Sequence, residues 1–218
     1  MNRHPENNNL LIHHDPHYRG LPIQVQKAPF ITQYLDRLYM TMSRALDEYS
    51  RVLAFRVDLR FPASMDQVDL ANANQILNRF FESFRAQIKY NRHVASQSNE
   101  RVHGSSVRYV WARESGQLGR PHYHLVIFLN CDAYCSLGKY ELGRDNLFNR
   151  LHKAWGSALG LPVEAVAGLV ELPKNAAYVL RRDCFEGRAN FYYRTSYLCK
   201  VATKQYGSWQ HAFGCSRI

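Results

Sequence analysis

Glu114-Ser-Gly-Gln-Leu-Gly-Arg-Pro-His-Tyr-His-Leu-Val-Ile-Phe-Leu-Asn130 is the stretch that decides how the chain is read. Its second half is a continuous apolar run rich in β-branched and aromatic residues, long enough for a buried strand and too short to span a membrane. Side chains alternate along a strand, so His122 and His124 leave one face while Tyr123 and Leu125 leave the other. Two imidazoles then share one spot, and neutral imidazole is a common metal ligand. Gly116, Gly119 and Pro121 give the preceding segment a turn composition, and Val107-Arg-Tyr-Val-Trp-Ala-Arg113 before it is strand-like. A hairpin of the two runs sets Glu114 opposite His122, within reach of the same ion. A plainer reading, partly buried histidines at a strand end beside a solvated glutamate, suits the same residues.

The far end of the chain bears on that choice. Tyr197-Leu-Cys-Lys-Val-Ala-Thr-Lys204 has helical composition, and its spacings predict one helix face carrying Tyr197, Lys200 and Lys204. Gly119-Arg-Pro-His-Tyr-His124, Leu129-Asn130, Ala154-Trp155 and this Tyr-x-x-Lys-x-x-x-Lys run resemble the HUH endonuclease superfamily. More narrowly they resemble its filamentous-phage (inovirus) gene II-like family, which includes the prophage YagK/YfjJ type; the similarity spans roughly residues 30 to 210. The resemblance implies an antiparallel sheet of about five strands, related to the ferredoxin-like and RRM folds, with a divalent metal, Mg or Mn, on one face. It implies His122, His124 and Glu114 as metal ligands, Tyr197 as the nucleophile and Lys200 as its cationic helper. The product it implies is a 5′-phosphotyrosine with a free 3′-OH.

Val52 to Phe61 alternates, with Leu53, Phe55, Val57, Leu59 and Phe61 on one side and Arg56, Asp58 and Arg60 on the other. By the resemblance this is a strand beside the histidine strand. Asp58 would then be an auxiliary acid, and Arg56 and Arg60 would contact phosphates; ordinary surface charges explain the same pattern. Arg120, Lys204 and Tyr193 complete the expected DNA-binding set. Tyr193 lies one helical turn before Tyr197, so a two-tyrosine mechanism is geometrically open. A single tyrosine is favoured, because the position of a second Tyr-x-x-Lys unit is held by Val201 and no lysine follows Tyr193 by three.

Composition agrees with a nucleic-acid partner. The 218 residues carry a formal charge of +10 and a pI near 9.5, with 14 tyrosines and 11 phenylalanines, which suit phosphates and unpaired bases respectively. With 46% hydrophobic residues the chain is not of disordered type. Five cysteines without a Cys-x-x-Cys pair fit a reducing setting. With neither an opening apolar segment nor a membrane-length run, a cytoplasmic place in a bacterial host is expected, away from membranes.

Residues 1–29, rich in Asn, His and Pro, read as an extended arm or partly ordered wrap, and 30–218 as a single nuclease domain with a C-terminal tail. Helical periodicity covers Phe30 to Tyr49, Asp69 to about His93 (capped by Asp69 or Asn72) and Asn146 to Leu159 closed by Gly160. Val166 to Leu172 reads as a short strand, Asn175 to Arg182 as a helix, Phe185 to Asn190 as a turn, and 205–218, with Trp209, Phe213 and Gly214, as an unassigned tail. The mixture predicts an α+β architecture.

The function expected is a site-specific single-stranded DNA endonuclease and strand-transferase that initiates rolling-circle replication at an origin or hairpin. The absence of a Walker phosphate loop assigns unwinding to a separate helicase. Two alternatives are a DNA-binding regulator of a prophage or mobile element without cleavage, and a transposase or relaxase using the same parts. A two-histidine phosphoesterase is disfavoured, since only His103-Gly-Ser105 matches its motif.

Overall fold

The computed structural model describes residues 3–116, 119–204 and 210–217, with 67 and 68 described in backbone only. In chain order it contains β1 (Arg3–His4), β2 (Asn7–His13), β3 (His17–Tyr18), β4 (Leu21–Pro22), β5 (Phe30–Ile31), α1 (Thr32–Glu48), β6 (Arg51–Arg60), α2 (Gln67–Leu70) and α3 (Ala73–Ser98). These are followed by β7 (Arg108–Ser115), β8 (Pro121–Asn130), α4 (Leu147–Leu159), β9 (Val170–Glu171), β10 (Ala177–Arg181), α5 (Phe185–Ser196) and β11 (Phe213–Cys215). The architecture is α+β, and every described strand pairing is antiparallel.

The main sheet runs β10-β6-β8-β7-β11, with the short β9 also paired to β6. Period-two alternation in β6 and β8 divides its side chains between two cores. Leu53, Phe55, Val57 and Leu59 join Leu125 and Ile127 on one face, under Phe80, Phe81 and Phe84 of α3 and Leu151 and Trp155 of α4. Val52, Ala54, Val126 and Phe128 pack on the other against Leu35, Leu38 and Met42 of α1 and Phe191 and Tyr192 of α5. Each such large apolar side chain contributes about 1.5–3 kcal/mol on burial. On the second face the apolar rows give way, at one end of the strands, to Arg56, Asp58, His122, His124 and Glu114. Sheet geometry alone thus gathers the polar residues of three strands. Both faces of β6 are covered, so Arg56 and Asp58 are buried rather than solvated. Trp155 donates from Nε1 to the Arg60 carbonyl at 2.9 Å, tying α4 to the site end of β6.

Several expectations change. The sheet gains a sixth strand because Asn175 to Arg182 is not helical: β10 pairs with β6 from Ala177↔Phe55 to Arg181↔Arg51 and buries Leu180. Phe185 begins α5 where a turn was expected, with the Cys184 sulfur accepting from the Gly187 N–H at 3.4 Å at its start. Val166 to Leu172 shortens to β9 after a 3-10 turn, Val163–Val166. Within residues 1–29, read as an extended arm or partly ordered wrap, β1 and β2 form a small sheet with β5, which lies just beyond, and β3 pairs with β4. Leu21 and Ile23 enter the second core, and the Gln24 N–H donates to Ser196 Oγ at 3.1 Å. Asn72 holds the position before α3 without a side-chain capping bond, whereas Asn146 caps α4 by accepting from the Asn149 N–H at 3.0 Å. Gly160 ends α4 with φ 69°. Of the unassigned tail, Phe213 to Cys215 is an edge strand on β7, and Trp209 lies outside the described residues.

Candidate active site

The hairpin register pairs Glu114 with His122 across β7 and β8, and Asp58 with His124 across β6 and β8. Opposed residues in a sheet point to one side, so the carboxylates flank the imidazoles on the same face. The imidazole rings are 4.8 Å apart between centres and nearly perpendicular, at 88°. His124 Nδ1 lies 2.8 Å from Asp58 Oδ1, and its Nε2 lies 3.8 Å from Glu114 Oε2. One ligand atom from each of Glu114, His122 and His124 falls within 4.8 Å of the others. Two imidazole nitrogens and a carboxylate oxygen are a donor set of the kind that can accept Mg, Mn or Zn.

Tyr197 reaches this face from the end of α5. Its ring centre is 5.1 Å from that of His124, with the planes at 67°. The Arg56 guanidinium carbon lies 4.8 Å from the Tyr197 ring centre and Lys200 Nζ 4.6 Å, so two cations share the phenol's surroundings.

The expected helix through 197–204 does not form. α5 stops at Ser196, Tyr197–Cys199 is a 3-10 turn, and Lys200 is extended. Backbone partners outside the helix explain the break: Lys200 bridges to Phe30, the Val201 N–H donates to the Pro29 carbonyl at 2.9 Å, and Thr203 turns the chain at φ 69°. The two lysines nevertheless converge. Lys200 Nζ lies 3.1 Å from Glu114 Oε2, and Lys204 donates to Oε1 at 2.8 Å with its side chain fully buried. Lys204, expected from the sequence among the DNA-binding residues, is here an internal counter-ion to Glu114.

Electrostatics follow from this packing. Burial, the largest single influence, pushes the Glu114 carboxyl up, but the Lys204 ammonium, a Thr203 hydrogen bond and His124 together outweigh it and hold the group down at about 2. Burial also opposes ionisation of Asp58, yet its contacts with His124 and Arg56 keep it below the ordinary carboxylate value. Burial, and then the neighbouring His124, push the His122 imidazole down, favouring the neutral form that ligates metals. The Tyr197 phenol is driven well up by burial, which Arg56 offsets only in part.

The other expected residues are arranged unequally. Asp58, Arg60, Arg120, Pro121, His122 and His124 line an open cleft of about 570 Å³ that continues from the imidazole pair. Arg60 is exposed and paired with Glu171 at 2.8 Å, while Arg120 donates to the Met65 carbonyl at 3.0 Å. Tyr193 is exposed, with its hydroxyl accepting from Gln26 Nε2 at 3.1 Å, so its described contacts lie with the N-terminal segment and not with the imidazoles. Glu171, absent from the sequence reading, is the register partner of Asp58. A two-residue strand offers no alternation by which it could have been found.

Residues 13–216 match the YagK/YfjJ C-terminal domain. The chain is 34% identical over 197 residues to the Escherichia coli K12 protein described as "Uncharacterized protein YfjJ", covering 86% of this chain and 95% of that one. It is 33% identical over 196 residues to "Uncharacterized protein YagK" of the same organism, covering 86% and 94%. No solved structure matches. With nearly its whole length matched, the chain belongs to the YagK/YfjJ C-terminal domain family.

Proposed function

We propose that this protein is a metal-dependent tyrosine endonuclease of the HUH type that nicks and rejoins single-stranded DNA to start rolling-circle replication. The observation that carries the reading is the meeting of Tyr197, from near the carboxyl end, with His124 and Glu114 from a mid-chain hairpin. Gathering a partly buried phenol, two partly buried imidazoles and a buried carboxylate for packing alone is a costly solution, because each polar group must be desolvated to the extent that it is covered. Perturbed titratable groups gathered beside a cleft mark functional sites.

In the proposed reaction Tyr197 Oη attacks the scissile phosphorus, an O–P bond forms, and the bond from phosphorus to the 3′ oxygen breaks. The phenol's proton leaves as the 3′ oxygen gains one, so charge balances and the products are a 5′-phosphotyrosine and a 3′-OH. A Mg or Mn ion held by His122, His124 and Glu114 would supply polarisation of a nonbridging oxygen. Lys200 and Arg56, both beside the Tyr197 ring, favour its phenolate against the opposing effect of burial. Because the phosphotyrosine retains the energy of the broken linkage, attack by a 3′-OH reseals the strand. Arg60 and Arg120, in the adjoining cleft, are placed to take neighbouring phosphates. With no phosphate-binding Walker loop in the sequence, strand separation falls to a helicase.

The test is incubation with manganese and labelled single-stranded DNA from the element that encodes the protein. A denaturant-resistant adduct is expected, absent in Tyr197→Phe and in the His122→Ala, His124→Ala variant. A second reading, a DNA-binding regulator that does not cleave, is favoured by one observation: both Glu114 oxygens already hold lysines. It predicts metal-independent binding and no adduct.

A further inference from the structure

The contacting charges around the imidazole pair, among the described residues, are three cations, Arg56, Lys200 and Lys204, and two carboxylates, Asp58 and Glu114. Arg60 is already balanced by Glu171. The site is thus cationic by one charge before any metal arrives, and a divalent ion raises the excess to three. Burial makes such an excess costly. Glu114, the sole carboxylate of the three-residue donor set, also has no oxygen free of an ammonium.

From these contacts we infer that Lys204 is a built-in competitor for the metal position, and that the divalent ion and a DNA phosphodiester bind as a linked pair. Resting on the proposed reading of the site, the inference concerns what admits the metal. Lys204 is the group that must yield: its ammonium sits 2.8 Å from Glu114 Oε1, with its side chain enclosed and no solvent between the two charges. It also lies at the end of a short non-helical segment. The Lys204 N–H donates to the Val201 carbonyl at a long 3.4 Å, and Thr203 before it is left-handed at φ 69°. A phosphodiester anion at the site offsets the charge that the ion adds. Linkage of this kind is reciprocal, so the metal must strengthen DNA binding by the same factor that DNA strengthens metal binding. In the cell this would keep the nuclease metal-poor until single-stranded DNA is seated.

The experiment reads free Mn²⁺ by electron paramagnetic resonance in a Tyr197→Phe background, which removes cleavage from the measurement. Mn²⁺ alone is titrated first, then Mn²⁺ with a single-stranded phosphodiester oligonucleotide. The oligonucleotide should tighten Mn²⁺ binding by about tenfold or more, the scale of coupling between close charge pairs. Lys204→Met and Lys204→Gln should tighten Mn²⁺ binding without DNA by a similar factor and shrink the gain that DNA brings. Melting in EDTA checks that each variant folds. If neither does, the comparison with and without oligonucleotide on the Lys204 protein still decides the linkage. Mn²⁺ affinity indifferent to the oligonucleotide, or unchanged in folded Lys204 variants, overturns the inference even if the unmutated protein forms adducts. Absence of adducts from the unmutated protein, with the linkage intact, overturns the nuclease reading instead.

Discussion

Asp58 Oδ1 lies 2.8 Å from Nδ1 of His124, and the two residues are register partners across β6 and β8. With Nδ1 turned to this carboxylate, Nε2 is the nitrogen that faces Glu114. Carboxylates behind a ligating histidine fix its ring and raise its basicity. Asp58→Asn should therefore weaken Mn²⁺ binding by about 10–100-fold while leaving the imidazole in place. Titration calorimetry checks this, and an Asn variant with unaltered affinity would show that Asp58 serves only as a partner of Arg56.

Glu114 makes the metal-free fold sensitive to acid. Its folded-state carboxyl is held at about 2 by Lys204 against burial, below the ordinary 4.5. A depressed carboxyl stabilises the fold fully above its unfolded value, and that contribution is lost as pH falls from about 5 towards 2. Glu114→Gln strands the buried Lys204 ammonium and the partly buried Lys200 ammonium, and should cost about 3–5 kcal/mol at pH 7, the scale for breaking a buried ion pair. The deficit should shrink at pH 2–3, where the parent protein loses the same charge. Urea melts in EDTA across that range measure it; a deficit independent of pH would assign the loss to packing.

How far the sequence revealed this site depends on the length and period of each element. The hairpin was legible because a strand-like run and a β-branched, apolar run flank a turn of Gly and Pro, which sets Glu114 opposite His122 without any tertiary information. The convergence of Lys200 and Lys204 on Glu114 was not. Their three- and seven-residue spacing from Tyr197 suits a helix, and only the distant Pro29 and Phe30, which take the backbone bonds of 200 and 201, prevent one. Asn175 to Arg182 is too short for periodicity to separate helix from strand, and β6, more than a hundred residues earlier, decides in favour of a strand. α5 was obscured by Gly187 and Asn190, residue types common in turns, within its first two turns.

Gly156 in α4 offers a test of packing behind the site. Alanine is the better helix former by about 1 kcal/mol, so propensity alone favours Gly156→Ala. A Cβ there would stand 2.8 Å from the Leu161 carbonyl oxygen, a backbone atom held by its own N–H bond to the Gly156 carbonyl at 2.9 Å. Overpacking of this kind costs about 1–3 kcal/mol and should reverse the sign. A lower melting temperature with unchanged Mn²⁺ affinity is expected; a stabilised variant would mean that the turn after α4 yields freely.

Three tyrosines near the end of α5 separate by their surroundings, and substituting each with phenylalanine distinguishes structure from chemistry. Tyr192 is fully buried and donates to the Leu35 carbonyl at 2.8 Å, so Tyr192→Phe should cost about 1 kcal/mol of stability and leave DNA adducts intact. Tyr193 is exposed and loses only the bond from Gln26, so Tyr193→Phe should alter neither stability nor adduct yield measurably. Tyr197→Phe keeps the ring that packs on His124 and beneath Arg56 and should melt close to the parent protein, yet form no adduct. Adducts that survive Tyr197→Phe and vanish with Tyr193→Phe would reverse the assignment. They would also require Tyr193 to leave Gln26 and displace Tyr197 from the imidazole face before any strand could be cut.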